Sequence, residues 1–419
     1  MMREKGLSLN QWLRNTLSTV MPDVVRDWIN HRRERRLVAQ LPGYARELLA
    51  ADASGQLRSD TGPENCIHAT LDWLLRAQMN SASRDGGVAR HFSLIDGWST
   101  SYPETTGYII PTLIEEGKAL GEKRLSDSAR RMLDWLVSIQ FPDGAIQGGV
   151  IGEQPVVPVT FNTGQVLIGL AAGAKHFGDA KYVDAMHRAA RWLVDSQDID
   201  GCWRRFATPF ANPGEKAYET HVAWGLFEAD RVDPHRGYGE SGNRQITWAL
   251  TCQRPNGWFE KCCLSDDQQP LTHTVGYVLR GLLEAHRWRQ SGTLLDACER
   301  TARPLTKCID QEGRLPARLD SNWRPAAAYT CLTGTAQIAY CWMMLYELTG
   351  EGTYLLAARR ANSFVRRTIL TAVHPGIDGG VRGSFPINGD YGRYQFLNWA
   401  AKFTIDANRK ELTLVGAHA

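Results

Sequence analysis

The chain has 419 residues, beyond the roughly 250 to 300 at which one hydrophobic core stops growing, so length alone predicts two or three domains. With 43% hydrophobic and 22% charged residues it excludes disorder and fibrous repeats. The net charge of +3 is unevenly placed: residues 1–50 hold nine Lys/Arg against five Asp/Glu, so the remainder is nearly neutral and lacks the basic stripes of a nucleic-acid binder.

The N-terminal 50 residues form the first element, a basic helical arm. Leu7, Leu9, Trp12, Leu13, Leu17, Val20 and Met21 make an apolar stripe, and Trp28-Ile29 precedes Arg32-Arg-Glu-Arg-Arg36. Such an arm suits either the outside of the main body or an anionic inner leaflet, with residues 1–36 as the contact. No run of about 18 apolar residues occurs, so the expectation is a cytoplasmic protein without a membrane span, at most peripheral to the inner membrane. Nine cysteines without a CxxC pair read as reduced, packed thiols.

From residue 60 onward the chain repeats. Leu71-Asp-Trp73-Leu-Leu-Arg-Ala-Gln78, Leu133-Asp-Trp135-Leu-Val-Ser-Ile-Gln140, Ala190-Arg-Trp192-Leu-Val-Asp-Ser-Gln197 and Ile246-Thr-Trp248-Ala-Leu-Thr-Cys-Gln253 each place Trp five residues before Gln. A weaker copy ends at Gln311. Each Gln leads into a glycine turn, and Asp378-Gly-Gly-Val-Arg382 restates the first turn, Asp85-Gly-Gly-Val-Ala-Arg90. Between turns lie one helix apolar nearly all round and one amphipathic helix, the marks of buried and water-facing positions. The amphipathic set is predicted at 65–77, 125–139, 182–196, 242–252, 294–309 and 353–370. The apolar set starts near 106, 163, 220, 274, 334 and 391. Twelve helices so arranged predict an all-α fold, an (α/α)6 toroid over residues 51–410 with a short tail at 411–419.

On these motifs the chain resembles the α/α-toroid superfamily of six-hairpin glycosidases, polysaccharide lyases and uronyl epimerases, which also includes terpenoid cyclases and protein prenyltransferases. Gln197-Asp-Ile-Asp-Gly-Cys-Trp203 is similar to the Gln-Trp motif of squalene cyclases. Ser101-Tyr-Pro-Glu-Thr-Thr-Gly-Tyr-Ile-Ile-Pro111, the segment from Gly379 to Tyr391 and Asn398-Trp-Ala-Ala-Lys-Phe403 resemble toroid proteins of bacterial surface-polysaccharide synthesis. The resemblance implies the fold and suggests glycan chemistry, since toroids host unrelated reactions.

The candidate site sits at the starts of the apolar helices. Glu104-Thr105, Asn162-Thr163, Glu219-Thr220, His273-Thr274 and Leu332-Thr333 align. The Thr column reads as helix caps. The residues before it would ring one cavity mouth, joined by Tyr102, Tyr218 and His221. Glu104 and Glu219 are the pair that glycoside hydrolysis needs. Tyr102, Tyr218, His221, His273 or Tyr391 would equally serve β-elimination or C5 epimerisation of a uronate, with Arg90, His91 or Arg382 neutralising the carboxylate. Asn162, Asp390 and the loop aromatics Trp98, Trp203, Trp258 and Tyr394 complete the substrate-binding candidates, although a loop Trp equally plugs the interface between repeats.

Neither a cofactor nor a metal is expected. Cys262-Cys263 with His273 lacks zinc spacing, and Asp198-Ile-Asp-Gly201 lacks the later acids of a calcium loop. Isoprenoid chemistry is a weaker alternative, because Leu264-Ser-Asp-Asp267 lacks a cyclase's leading Asp and Asp296-Ala-Cys298 falls within a water-facing helix. A non-catalytic glycan binder is the third. The reading that fits best is a glycoside hydrolase, polysaccharide lyase or uronyl epimerase acting on a bacterial surface- or exopolysaccharide-type glycan.

Overall fold

A computed structural model describes residue 32 and residues 34–416. The stripe from Leu7 to Met21 and Trp28-Ile29 lie outside the described residues. Two compact units divide the chain, Met1–Ala50 and Ala51–Ala419. In the first, residues 34–40 are helical, and helix α1 (Gly43–Ala53) starts there and runs into the second.

The second unit is built from twelve helices in alternation. The outer helices are α2 (Pro63–Met79), α4 (Lys123–Ile139), α6 (Ala180–Ser196), α8 (Tyr238–Leu250), α10 (Gly292–Cys308) and α12 (Gly352–Arg366). The inner helices are α3 (Pro103–Leu120), α5 (Thr160–Phe177), α7 (Thr220–Val232), α9 (Thr272–Trp288), α11 (Leu332–Thr349) and α13 (Asn398–Gly416). Each inner helix packs on the next, and α13 packs on both α2 and α3, which closes the ring. The (α/α)6 toroid expected from the repeat is the observed fold of the second unit.

The Trp…Gln motif is the clasp between repeats. Gln140 donates from Nε2 to Gly144 O (2.9 Å) and Ala185 O (3.0 Å), and accepts from Arg188 at Oε1 (2.6 Å). Gln197 does the same to Gly201, Ser241 and Arg244, one repeat on. The turn glycine must be glycine. At Gly201 (φ 94°) a Cβ would stand 2.4 Å from Arg244 O, and at Gly379 (φ 78°) 2.0 Å from Ala69 O. Gly379 therefore seats the sixth turn against the first outer helix and completes the circle.

Three expectations are corrected. The last inner helix begins at Asn398 instead of near 391, because residues 395–397 are spent in a strand. It continues to Gly416, so no separate tail begins at 411. The Thr column does not cap the helices. Thr163 lies inside the first turn of α5 and donates back to Val159 O (2.8 Å), while its Oγ1 accepts from Ile146 N (3.0 Å), so it ties the preceding turn to the helix.

Short strands decorate the end where the inner helices begin. β1 (His91–Ser93) pairs antiparallel with β2 (Gly97–Trp98) and β5 (Gln395–Leu397), with His91 opposite Leu397. β3 (Thr330–Cys331) pairs with β4 (Ser384–Phe385). The first sheet bridges the first loop and the lead into α13, and so carries Arg90 and His91 to the side of Trp399.

Candidate functional site

A cavity of about 410 Å³ opens among the N-terminal ends of the inner helices. Of the sequence-predicted residues, Arg90, His91, Tyr102, Glu104, Asn162, Tyr218, His273 and Tyr391 line it. They come from the β1 segment, four inner-helix starts and the lead into α13, as expected if the N-termini share one end.

Glu104 is the second residue of α3, which begins with Pro103, and it is 9% exposed. The Tyr102 phenol donates a short hydrogen bond to its Oε2. Burial pushes the Glu104 carboxyl up to about 7, against the opposing pull of the Tyr102 hydrogen bond and the Arg90 charge. Near neutrality it is therefore partly a carboxylic acid, able to give a proton. Burial and the neighbouring carboxylate hold the Tyr102 phenol well above its ordinary value, so it stays a donor.

His273 faces the same cavity in the opposite chemical state. Burial lowers it to about 4, leaving a neutral imidazole. Its Nδ1 lies 2.6 Å from Gln337 Oε1, an acceptor, so Nδ1 carries the hydrogen and Nε2 the lone pair. Tyr277, one helical turn on, stands 4.4 Å away ring to ring, and Tyr391 stands 5.4 Å away. Arg90 has no carboxylate in salt-bridge contact among the described residues. Its guanidinium lies 5.2 Å from the Trp399 ring and 6.0 Å from that of Tyr102, and 3.2 Å from His91 Nδ1. Asn162 is 2% exposed, and its Nδ2 has no partner among the described residues.

The other predicted residues fall elsewhere. Glu219 closes the 3-10 turn Ala217–Glu219 ahead of α7; Tyr218 enters the cavity, and its successor, about a third of a turn round, does not. Glu219 is 5% exposed, its Oε2 is unpartnered, and burial raises it to about 8 against the pull of Lys216 and Arg204. His221 is fully buried behind the wall, with Nδ1 2.6 Å from Gln165 Oε1 and its ring 4.4 Å from Tyr277.

Trp203 and Trp258 are plugs, whereas Trp98 is half-buried. Trp203 is 3% exposed and donates to Leu193 O (2.9 Å), and Trp258 is 2% exposed with its ring edge-on to Trp323. Trp98 packs on Trp73 and Phe92. Arg382 is buried in an ion pair with Asp52 and donates to Thr368 O, which ties its turn to the wall. Tyr394 is buried at φ 61°, bonded through its backbone to Ile387 and Leu94. Asp390 is exposed on the turn before Tyr391, outside the lining.

Sequence reasoning missed Glu153, Phe161, Tyr277 and Trp399, all of which line the cavity. Tyr277 was readable as His273 plus four on one helix face. Glu153 belongs to an irregular loop and carries no pattern. Among the described residues no group of three or more His, Cys, Asp or Glu side chains is placed to hold a metal ion.

No protein-family model and no curated protein matches the chain. Solved structures do. An unsaturated glucuronyl hydrolase specific for heparin aligns at a TM-score of 0.68 and 14% identity, over 84% of this chain and 98% of that one. Cellobiose 2-epimerase from Bacillus thermoamylovorans B4167 aligns at 0.67 and 10%, over 83% and 98%. A D-mannose isomerase aligns at 0.68 and 12%, over 84% and 97%. The likeness is one of fold: the chain has the α/α-toroid, six-hairpin architecture.

Proposed function

We propose that the protein is a carbohydrate-active enzyme that transfers protons on a uronate-bearing glycan, with Glu104 as the acid and His273 as the base. One observation carries the reading: a carboxyl group held partly protonated and a neutral imidazole with a free Nε2 line the same cavity. In the proposed step, His273 Nε2 takes the proton from C5, and the electron pair moves into the adjacent carboxylate, where Arg90 stabilises it. Glu104 then delivers its proton either to C5 from the other face, giving epimerisation, or to the departing O4, giving elimination. Asn162 Nδ2 and Tyr218 orient the sugar, and Trp399 and Phe161 offer it apolar faces.

Solved toroids that act on glucuronyl groups, disaccharides and monosaccharides support the substrate class. The finer reading is a surface- or exopolysaccharide-type glycan processed in the cytoplasm. The basic segment 1–36 would hold the enzyme near the inner membrane. Hydrolysis is the second reading, favoured by one observation: Glu153 lines the cavity with Glu104 and would supply the second carboxylate.

Incubation with uronate oligosaccharides in D2O tests the proposal. Epimerisation places deuterium at C5 of the product, whereas elimination leaves no hydrogen at C5 and gives an absorbing C4–C5 double bond. Bond cleavage with water uptake and no deuterium at carbon would replace it with hydrolysis. No change in any glycan would overturn both.

A further inference from the structure

A second cavity, of about 760 Å³, runs from the middle of the inner helices, at Trp224, Arg280 and Lys402, toward their C-terminal ends. Seven lysines and arginines line it against four carboxylates, so its wall carries a surplus of positive charge. Two of the cations are buried, Arg280 at 8% and Lys402 at 1% exposure. Buried charge is costly unless something answers it.

Both buried cations have a carboxylate partner, but one of those partners is shared. The Arg280 guanidinium lies between the rings of Trp224 (4.1 Å) and Tyr340 (4.3 Å) and donates to Glu284 Oε1 at 2.9 Å. Glu284, fully buried, is shared with Arg287 at 3.1 Å, while Arg231, 3.8 Å away, is held closer by Glu228 at 2.5 Å, so one carboxylate serves two guanidinium groups. Lys402 has its own partner, Asp406, at 2.6 Å. Lys175, exposed at the rim, has no ion-pair partner among the described residues. A network that existed only to close the ring would balance its charges. Lys118, Arg409 and Lys410 are paired with Glu115, Glu116 and Glu347, so the surplus rests on the shared Glu284 and on Lys175, in a cavity with an indole on its wall.

We infer that this second cavity binds a small ligand bearing two or more negative charges, with Arg280, Arg287 and Lys175 as its charge partners and Trp224 beside it. Two sources share that chemistry, a phosphate ester and a polycarboxylate sugar. The site is independent of the Glu104 cavity and of the function proposed for it.

Calorimetric titration of the full chain at low salt, with inorganic pyrophosphate in one arm and a glucuronate disaccharide in the other, tests the inference. At least one should bind, weaken as salt rises, and quench tryptophan emission. Pyrophosphate alone would identify a phosphate ligand; the disaccharide alone, a polycarboxylate. Lys175→Gln and Arg287→Gln change exposed side chains, and each should weaken binding about tenfold, as expected for one lost charge-assisted hydrogen bond. Since the Glu104 cavity is proposed to take the same glycan, disaccharide binding counts for this second cavity only in the part that the Lys175→Gln/Arg287→Gln double variant loses. No binding of either probe at millimolar concentration, or binding that survives the Lys175→Gln/Arg287→Gln double variant, would overturn the inference.

Discussion

The Tyr102 phenol donates its hydrogen to Glu104 Oε2 two residues along the chain, so a proton donor is aimed at the carboxyl group that burial already holds near neutrality. The bond favours the ionised form and partly offsets desolvation. With Glu104 at about 7 and His273 at about 4, the proposed mechanism requires Glu104 to keep its proton and His273 to lack one. The pH profile of kcat/KM should be bell-shaped, rising through about 4 and falling through about 7. A profile flat between pH 5 and 9 would exclude Glu104 as the acid.

Replacing Glu104 with Gln should cost about 10²–10⁴-fold in kcat, the usual worth of a general acid, yet stabilise the fold. The folded-state value near 7 lies above the ordinary 4.5, so the folded protein binds this proton more tightly than the unfolded chain does. Its contribution is intact below 4.5 and is lost as pH rises to about 7, a swing of about 3 kcal/mol. Urea unfolding at pH 8 should show the Gln variant more stable than the parent, with the gap closing towards pH 4.5.

Glu219 offers the contrast. It is buried, raised to about 8 and outside the cavity lining. Glu219→Gln should leave kcat and KM within about twofold while raising stability at pH 9 more than at pH 5. The same linkage predicts this sign, since its stabilising proton is lost between 4.5 and 8. A large fall in kcat would return Glu219 to the chemistry and revive the paired-carboxylate mechanism.

The ring was legible because its repeat is written in side chains that do one job over and over: Gln78, Gln140, Gln197 and Gln253 clasp neighbours, and turn glycines such as Gly201 and Gly379 admit them. The site was legible in outline for the same reason, since aligning helix starts aligned Glu104, Asn162 and His273 at one end. Glu219 escaped that logic because α7 opens through a 3-10 turn, which shifts the facing residue to Tyr218. Trp203 and Trp258 misled because a loop aromatic reads identically whether it covers a ligand or the next repeat. Arg382 misled because its partner, Asp52, is 330 residues away.

In the proposed mechanism Gln337 is a positioning residue for His273, holding the tautomer through Nδ1. Gln337→Leu removes the acceptor and frees the ring to turn. Activity should fall about 10- to 100-fold, mainly in kcat, by analogy with the loss of partners that orient metal-bound histidines. Gln337→Glu keeps an acceptor and should retain more activity, with the acid limb of the pH profile moved up, because a carboxylate beside Nδ1 favours the imidazolium. An unmoved limb in Gln337→Glu would mean that His273 does not set it.

Trp203 and Trp399 separate structure from substrate contact. Trp203 is 3% exposed and hydrogen-bonded to Leu193 O, so truncation to Ala opens a hole in the wall and should cost about 3–5 kcal/mol in urea unfolding. Glycan affinity in the surviving folded fraction should not change, because no part of Trp203 lines the cavity. Trp399 lines it, with Arg90 against its ring and its Nε1 bonded to Tyr391 Oη (2.8 Å). Trp399→Phe keeps the apolar face but drops that bond, loosening Tyr391 and the support under Arg90. It should raise KM for an anionic glycan several-fold while costing less stability than Trp203→Ala. Equal affinity losses in the two variants would mean that the loop tryptophan reaches substrate after all.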